Sequence, residues 1–399
     1  MSLQEFHDKV IALQPVDLFQ YVEEIPEFKL MADCQQSPPH HLEGSVLVHS
    51  QMASSVVLQL MEAEHIEKKE NQIALYLSAI LHDIGKPATY SIHPKKGTVT
   101  AYGHEKDGVW LAKEFLFKYF PEFKYPMRLQ ILNLIRYHMD ARKNVTDGIT
   151  INKLKMLSLV VNTKLLYLLS QADTLGRKAA DMRTGMFALE LFRQNCLDSG
   201  CWNKNYRIPL ATHLDNASYS LARWNILVED APETIETLDE AKEIMGKPIP
   251  PFQILLLIGA PASGKTTVRN QLEKQYPQAK VISMDDQRKK LCGDINDQSR
   301  NNEIFGWQEH TLREAMKNRQ SCIVDCTNPT FKLRKILFRI AREHGALCSA
   351  IFWDLPLKTL LERNANREKK VPETVVERFY KALEYIHPVE ADSVRIIES

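Results

Sequence analysis

The stretch Gln253-Ile-Leu-Leu-Leu-Ile258, followed without a break by Gly259-Ala-Pro-Ala-Ser-Gly264-Lys265-Thr266-Thr267, decides how the second half of this chain folds. An apolar run of this length, closed by a glycine turn, reads as a buried strand. The spacing Gly-x4-Gly-Lys-Thr reads as a phosphate-cradling turn that opens a helix. Glycine lets backbone N–H groups close around a phosphate, and the helix N-terminus behind them adds favourable partial charge. Gly259, Ala260, Pro261, Ala262, Ser263, Gly264, Lys265, Thr266 and Thr267 are therefore the expected nucleotide-contacting residues. Lys265 would reach the β- and γ-phosphates of ATP or another nucleoside triphosphate, and Thr266 would ligate Mg²⁺.

Beyond this motif, short apolar runs at 279–283, 321–325, 347–353 and 394–397 alternate with helical periodicity at 265–275, 303–318, 331–344 and 372–386. Alternating strand and helix implies a mostly parallel sheet covered on both faces. Before it, Gly246-Lys-Pro-Ile-Pro-Pro251 cannot continue a helix and marks a boundary. Earlier still, apolar residues recur at three- and four-residue steps over 45–64, 71–83, 105–119, 127–139, 150–172 and 183–198. The expected organisation is an all-α domain over 1–175, a helical extension and linker over 176–250, and an α/β domain over 251–399.

Composition narrows the class. The 399 residues are 44% hydrophobic and 25% charged, as in ordinary globular protein. No apolar run approaches the roughly 18 residues of a membrane span, and Met1-Ser-Leu-Gln-Glu-Phe-His-Asp8 does not read as a signal peptide. The seven cysteines form no C-x-x-C pair, so reduced thiols in a cytoplasmic protein are expected. Net charge is +1, but residues 252–399 carry 24 Lys and Arg against 19 acidic residues, while the remainder is net negative. The basic half suits a nucleic-acid end, although a solvated surface explains the same counts.

The first half carries a second constellation: His49, His82-Asp83, His104, His138 and Asp173, spaced H-x32-HD-x20-H-x33-H-x34-D. Imidazoles and carboxylates together suit Mn, Fe, Co, Ni or Zn. The dipeptide His-Asp means little by itself; His7-Asp8 is a second copy without partners, and His40 and His41 read as loop residues. His82-Asp83 differs because it ends the apolar helical run Ile73–Leu81 and continues as Ile84-Gly85-Lys86. The full pattern resembles the HD superfamily of metal-dependent phosphohydrolases. Leu42 through Ser50, Gly103-His104-Glu105 and Ala172-Asp173-Thr-Leu-Gly-Arg177 look like the HD domains of bacterial tRNA nucleotidyltransferases, with Leu42 where those relatives usually carry proline. The resemblance implies one metal on His49, His82, Asp83 and Asp173. It implies a second on His104 and His138, with Asp83 bridging. Lys86 and Arg177 adjoin ligands and would neutralise a substrate phosphate, although ordinary salt bridges would explain them equally.

In the second half, Met284-Asp285-Asp286-Gln287-Arg288 follows the expected strand 279–283. It resembles the D-D-x-R segment of phage-type polynucleotide 5′-kinases, which implies Asp285 as general base and Arg288 as a contact to the acceptor's phosphate. Arg363-Asn-Ala-Asn-Arg367 with Val371-Pro372 looks like the lid of the same kinases. Read as a helix, the spacing sets Arg363 and Arg367 on one face, Arg367 toward the γ-phosphate and Arg363 as a secondary contact. Asp325-Cys-Thr-Asn328 resembles the family's D-x-T-N segment, with Asp325 placing the acceptor or the Mg²⁺.

Together the halves resemble bacterial HD-Pnk proteins, which pair an HD phosphohydrolase with a polynucleotide kinase. That implies RNA or DNA ends as substrate and a separate ligase, since no K-x-D-G ligase motif occurs. Two other classes fit the motifs: a small-metabolite kinase fused to an HD nucleotidase, and a P-loop that only senses ATP and gates the hydrolase.

Overall fold

The computed structural model describes residues 2–36, 42–95, 97–146, 150–179, 182–204, 252–294, 297, 299–387 and 389–398. His40, His41 and the expected boundary at 246–251 lie outside them. The chain divides into two compact units, Met1–Tyr206 and Arg207–Ser399.

The first unit is helical: α1 Leu3–Ile11, α2 Pro26–Asp33, α3 Val46–Ala63, α4 Lys69–Leu81, the single turn α5 Lys86–Thr89, α6 His104–Tyr119, α7 Tyr125–Tyr137, α8 Asp140–Thr146, α9 Ile151–Val160, α10 Thr163–Leu175 and α11 Met182–Asp198. A short antiparallel ribbon, β1 Ser91–Ile92 with β2 Val99–Thr100, stands between α5 and α6. Helix α4 is buried from Ile73 to Leu81, so it runs through the core. It packs on α3, α7 and α10, the helices that bring His49, His138 and Asp173. The helix expected over 150–172 is two helices. Asn162 interrupts it: its side chain accepts from the N–H groups of Lys164 and Leu165, and Asn caps a new start better than it continues an old helix. The region expected as extension and linker begins with α11, which packs on α8 and α10; 205–251 lies outside the described residues.

The second unit is α/β: β3 Gln253–Ile258, α12 Lys265–Gln275, β4 Lys280–Ser283, α13 Met284–Cys292, α14 Asn301–Lys317, β5 Cys322–Asp325, α15 Phe331–Glu343, β6 Leu347–Asp354, α16 Leu357–Ala365, α17 Glu373–Lys381 and β7 Ser393–Glu398. Among the described residues its five strands are ordered β4-β5-β3-β6-β7 and all run parallel. Such a sheet is buried on both faces, and β3 is accordingly buried from Ile254 to Ile258. The carboxyl edge of a parallel sheet is where ligands bind. There β3 releases its glycine turn and β5 ends on Asp325, one strand away, in register with Leu257.

Asn364 determines where α16 stops. Its side chain takes the Val371 N–H at 3.0 Å and donates to the Val371 carbonyl at 2.7 Å. The helix therefore ends at Ala365, and Arg367 lies in the turn beyond it. The expectation that Arg363 and Arg367 share one helical face is thus corrected.

Candidate active sites

Four histidines and two aspartates converge in the helical unit, each no more than 9% exposed. His82 and His138 cap the C-termini of α4 and α7, and His104 opens α6. His49 sits in α3 and Asp173 in α10. Every imidazole is oriented by its Nδ1: His82 to the Ala79 carbonyl (2.9 Å), His104 to Ala101 (2.8 Å), His138 to Ile135 (2.7 Å) and His49 to Gly176 (3.2 Å). A carbonyl only accepts, so each Nδ1 carries the proton and each Nε2 presents a lone pair.

Those Nε2 atoms form two groups of potential ligands, His49–His82–Asp173 and Asp83–His104–His138. His49 and His82 approach Nε2 to Nε2 at 3.1 Å, and His104 and His138 at 3.3 Å. Two buried lone pairs this close repel unless a cation or proton lies between them, so the donor set fits metal. Asp83 spans both groups. Its Oδ2 is 3.3 Å from His82 and 3.6 Å from His49, while its Oδ1 is 3.3 Å from His104 and 3.9 Å from His138. Burial would raise the pKa of Asp83, but His82 and Lys86 hold it well below the usual carboxylate range. Asp173 is likewise held down against burial, chiefly by Arg142 and His49. Both stay ionised, as ligands must. Burial would lower His49, yet hydrogen bonds to Asp173 and Glu43 hold it up to about 9, so without metal its Nε2 carries a proton toward Asp173 that a metal would displace.

Glycine shapes this centre by close approach. A Cβ on Gly85 would stand 2.1 Å from the His104 carbonyl and 2.6 Å from the Gly108 nitrogen, so the turn after His82-Asp83 rests directly on α6. Above the ligands opens a cavity of about 480 Å³ whose walls include Lys86, Arg142 and Arg177. Lys86 Nζ lies 2.7 Å from Asp83 Oδ2 and 2.6 Å from Gln36 Oε1. Arg142, which was not singled out in the sequence, pairs with Asp173 Oδ2.

In the α/β unit, Gly264 has φ 103°, a left-handed value open to glycine, and precedes α12. Lys265 Nζ folds back onto the Gly259 and Ala260 carbonyls at 2.7 and 2.9 Å. Burial lowers its pKa to about 8 against the raising influence of Asp325 and Asp285, and Arg367 lowers it further. Arg363 donates to the Ser263 carbonyl at 3.1 Å. Arg363 thus touches the glycine turn directly, whereas Arg367, off the helix, bears on it only through its charge near Lys265.

Asp285 lies in the first turn of α13, the helix that the Ser283 side chain caps. Asp285 is 73% exposed and takes the guanidinium of the buried Arg288 at 2.7 Å. Asp325 is half-buried, and its pKa is raised by burial, countered by Lys265 and Arg269. Arg269 was missed in the sequence: its Nη1 bridges Asp325 (3.1 Å) and Asp286 (3.0 Å). Its place in α12 one turn after Lys265 was the available signal, but nothing local showed its partners, which are distant in sequence.

Family models match both units: the HD domain over 46–177 and the AAA domain of the AAA_33 family over 254–386. The chain joins an HD domain to a P-loop kinase domain. The pair and its order agree with the reading of the sequence. The L-seryl-tRNA(Sec) kinase of Methanococcus maripaludis is 28% identical over 130 residues, which cover 32% of this chain and 51% of that one. The CC-adding tRNA nucleotidyltransferase of Thermus thermophilus is 29% identical over 118 residues, covering 29% and 24%. The matched parts thus span about half of one curated relative and about a quarter of the other. Among solved structures, the Pnkp1/Rnl/Hen1 RNA repair complex gives a TM-score of 0.30 at 24% identity, covering 33% of this chain and 44% of that one. A gluconokinase from Sinorhizobium meliloti gives 0.29 at 17% identity, covering 38% and 84%. No helix among the described residues is long and apolar enough to cross a membrane.

Proposed function

We propose that this protein heals nucleic-acid breaks, phosphorylating 5′-hydroxyl ends with its kinase domain and removing 2′-, 3′- or 2′,3′-cyclic phosphate with its HD domain. One observation carries the reading. A carboxylate joining two His/Asp ligand groups and a phosphate turn flanked by acidic and arginine side chains occur in the same chain. Breaks in RNA often leave a 5′-hydroxyl opposite a 2′,3′-cyclic phosphate, and sealing generally needs a 5′-phosphate and a 3′-hydroxyl. The two curated relatives described above are named for tRNA, which supports an RNA substrate.

In the HD domain, His49, His82, Asp83 and Asp173 would hold one metal, and Asp83, His104 and His138 a second. Mn, Fe, Co, Ni or Zn there would supply an acidified water and neutralise phosphoryl oxygens. Lys86, Arg142 and Arg177 line the cavity where the phosphate would sit and would orient it. In the kinase domain, the turn from Gly259 to Thr267 would cradle ATP, with Thr266 on Mg²⁺. Lys265, Arg363 and Arg367 would carry the charge of the transferring phosphoryl. Asp285, exposed to an arriving polymer, would accept the proton of the 5′-hydroxyl. Arg288 would grip the adjacent phosphate, and Asp325 would orient Arg269 and the metal-binding side. A separate ligase would seal the healed ends.

The test uses a short RNA bearing a 5′-hydroxyl and a 2′,3′-cyclic phosphate, incubated with protein, ATP, Mg²⁺ and Mn²⁺ and weighed by mass spectrometry. Gain of a phosphoryl at one end with loss or opening at the other is expected. Asp83→Ala should stop only the 3′ change, and Lys265→Ala or Asp285→Ala only the 5′ change. An RNA unaltered at both ends by metal-loaded protein would refute the reading.

A further inference from the structure

The HD cavity has a feature that phosphate chemistry does not use. Tyr90 and Tyr102 belong to its walls, 43% and 82% exposed. Register Ser91↔Thr100 brings both to one end of the ribbon, Tyr90 just before β1 and Tyr102 two residues after β2. Tyr102 is followed by Gly103, whose φ of 82° turns the chain into α6, and then by His104. The same turn holds His104 by Nδ1 on the Ala101 carbonyl. An aromatic ring is thereby set two residues from a metal-ligand candidate, on a backbone fixed by that ligand's own hydrogen bond.

A ring so exposed adds little burial to the fold. It does offer a flat π-face at the mouth of a cavity that also carries Lys86, Arg142 and Arg177. Cations that attract phosphate beside an aromatic face are the pairing that binds single-stranded nucleic acid: charge holds the backbone, and bases stack in a sequence-tolerant way. The cavity volume of about 480 Å³ is within the range of small-molecule sites.

We propose that Tyr102, with Tyr90 at the same end of the ribbon, stacks on the nucleobase at the end being processed, so that the HD domain selects nucleic-acid ends over phosphate esters without a base. This deepens the hydrolase reading and rests on it. The test compares two oligonucleotides identical except that the 3′-phosphate is borne by a nucleoside in one and by an abasic residue in the other. Full-length, Mn²⁺-loaded protein is assayed for phosphate release, and the readout is the ratio of the two kcat/KM values. Stacking of ordinary strength predicts a preference of about tenfold for the base-bearing end. Tyr102→Ala should bring the ratio close to one, and Tyr102→Phe, which keeps the π-face, should preserve it. Partial misfolding lowers both rates together and leaves the ratio intact. A wild-type ratio near one, or a ratio undiminished in Tyr102→Ala, overturns the stacking role while phosphate release still upholds the hydrolase. Release from neither oligonucleotide overturns the 3′-phosphatase part of the hydrolase reading and this inference with it.

Discussion

Replacing Gly85 by alanine tests whether the two ligand groups are held by separate pieces of backbone. The added Cβ would meet the His104 carbonyl at 2.1 Å and the Gly108 nitrogen and Cα at 2.6 and 3.0 Å. All three are backbone atoms of α6, so no flexible side chain can yield. Ordinary contact requires the turn and α6 to separate by roughly 1 Å, and overpacking of this kind costs about 1–3 kcal/mol. His104 opens α6 and moves with it, whereas His49, His82 and Asp173 stand on α3, α4 and α10. The variant should therefore lose the Asp83–His104–His138 group and keep the other. A catalytic group misplaced by about 1 Å lowers turnover by roughly 100-fold. Metal content after equilibration with Mn²⁺ and gel filtration should fall from two per chain toward one. Phosphate release should drop by about that factor, and ATP-dependent 5′-phosphorylation, whose residues lie in the other unit, should persist as an internal control. Full metal content with hydrolysis within twofold of wild type would falsify the account of Gly85 as the spacer between turn and α6.

Further expectations address the kinase and HD domains in turn. With its pKa near 8 in the free protein, Lys265 is charged below that pH and neutral above it. ATP phosphates favour the ammonium, so binding at pH 8.5 should take up a proton and weaken as pH rises; calorimetry in buffers of different ionisation enthalpy measures both. His387 is pushed down to about 4 by burial. The folded kinase domain then binds fewer protons than the unfolded chain between that value and 6.5. Stability should fall by about 3 kcal/mol as pH drops through this window, and His387→Leu should flatten the urea-midpoint profile there. Arg334, fully buried, grips Glu390 through Nε and Nη2 at 2.8 and 2.9 Å. Glu390→Ala strands that charge and should destabilise the kinase domain by about 3–5 kcal/mol in chemical denaturation. Arg142→Gln, which weakens the hold on Asp173, should reduce metal affinity or hydrolysis by about 10–100-fold and spare the kinase; metal titration and phosphate release report it.

Periodicity and spacing alone determined the two-part architecture. The run 253–258 with its glycine turn implied a buried parallel strand, and Ile73–Leu81 implied a helix carrying His82-Asp83 into the core. These signals are local, because a strand buried on both faces and a helix buried all round must be apolar throughout. The six candidate metal ligands were equally legible, since few other roles explain four histidines and two aspartates at such spacing. Everything that depends on who meets whom needed the tertiary structure. Neither Arg142 nor Arg269 carries a mark in its own neighbourhood; each is defined by partners 31, 17 and 56 residues away. The stop at Ala365, which takes Arg367 off the helix, depends on Asn364 reaching Val371 across the next turn. Even Gly85 reads as an ordinary turn glycine until α6 is laid against it. Sequence patterns record what a residue must be to suit its own element; packing decides which charges and backbones that element then faces.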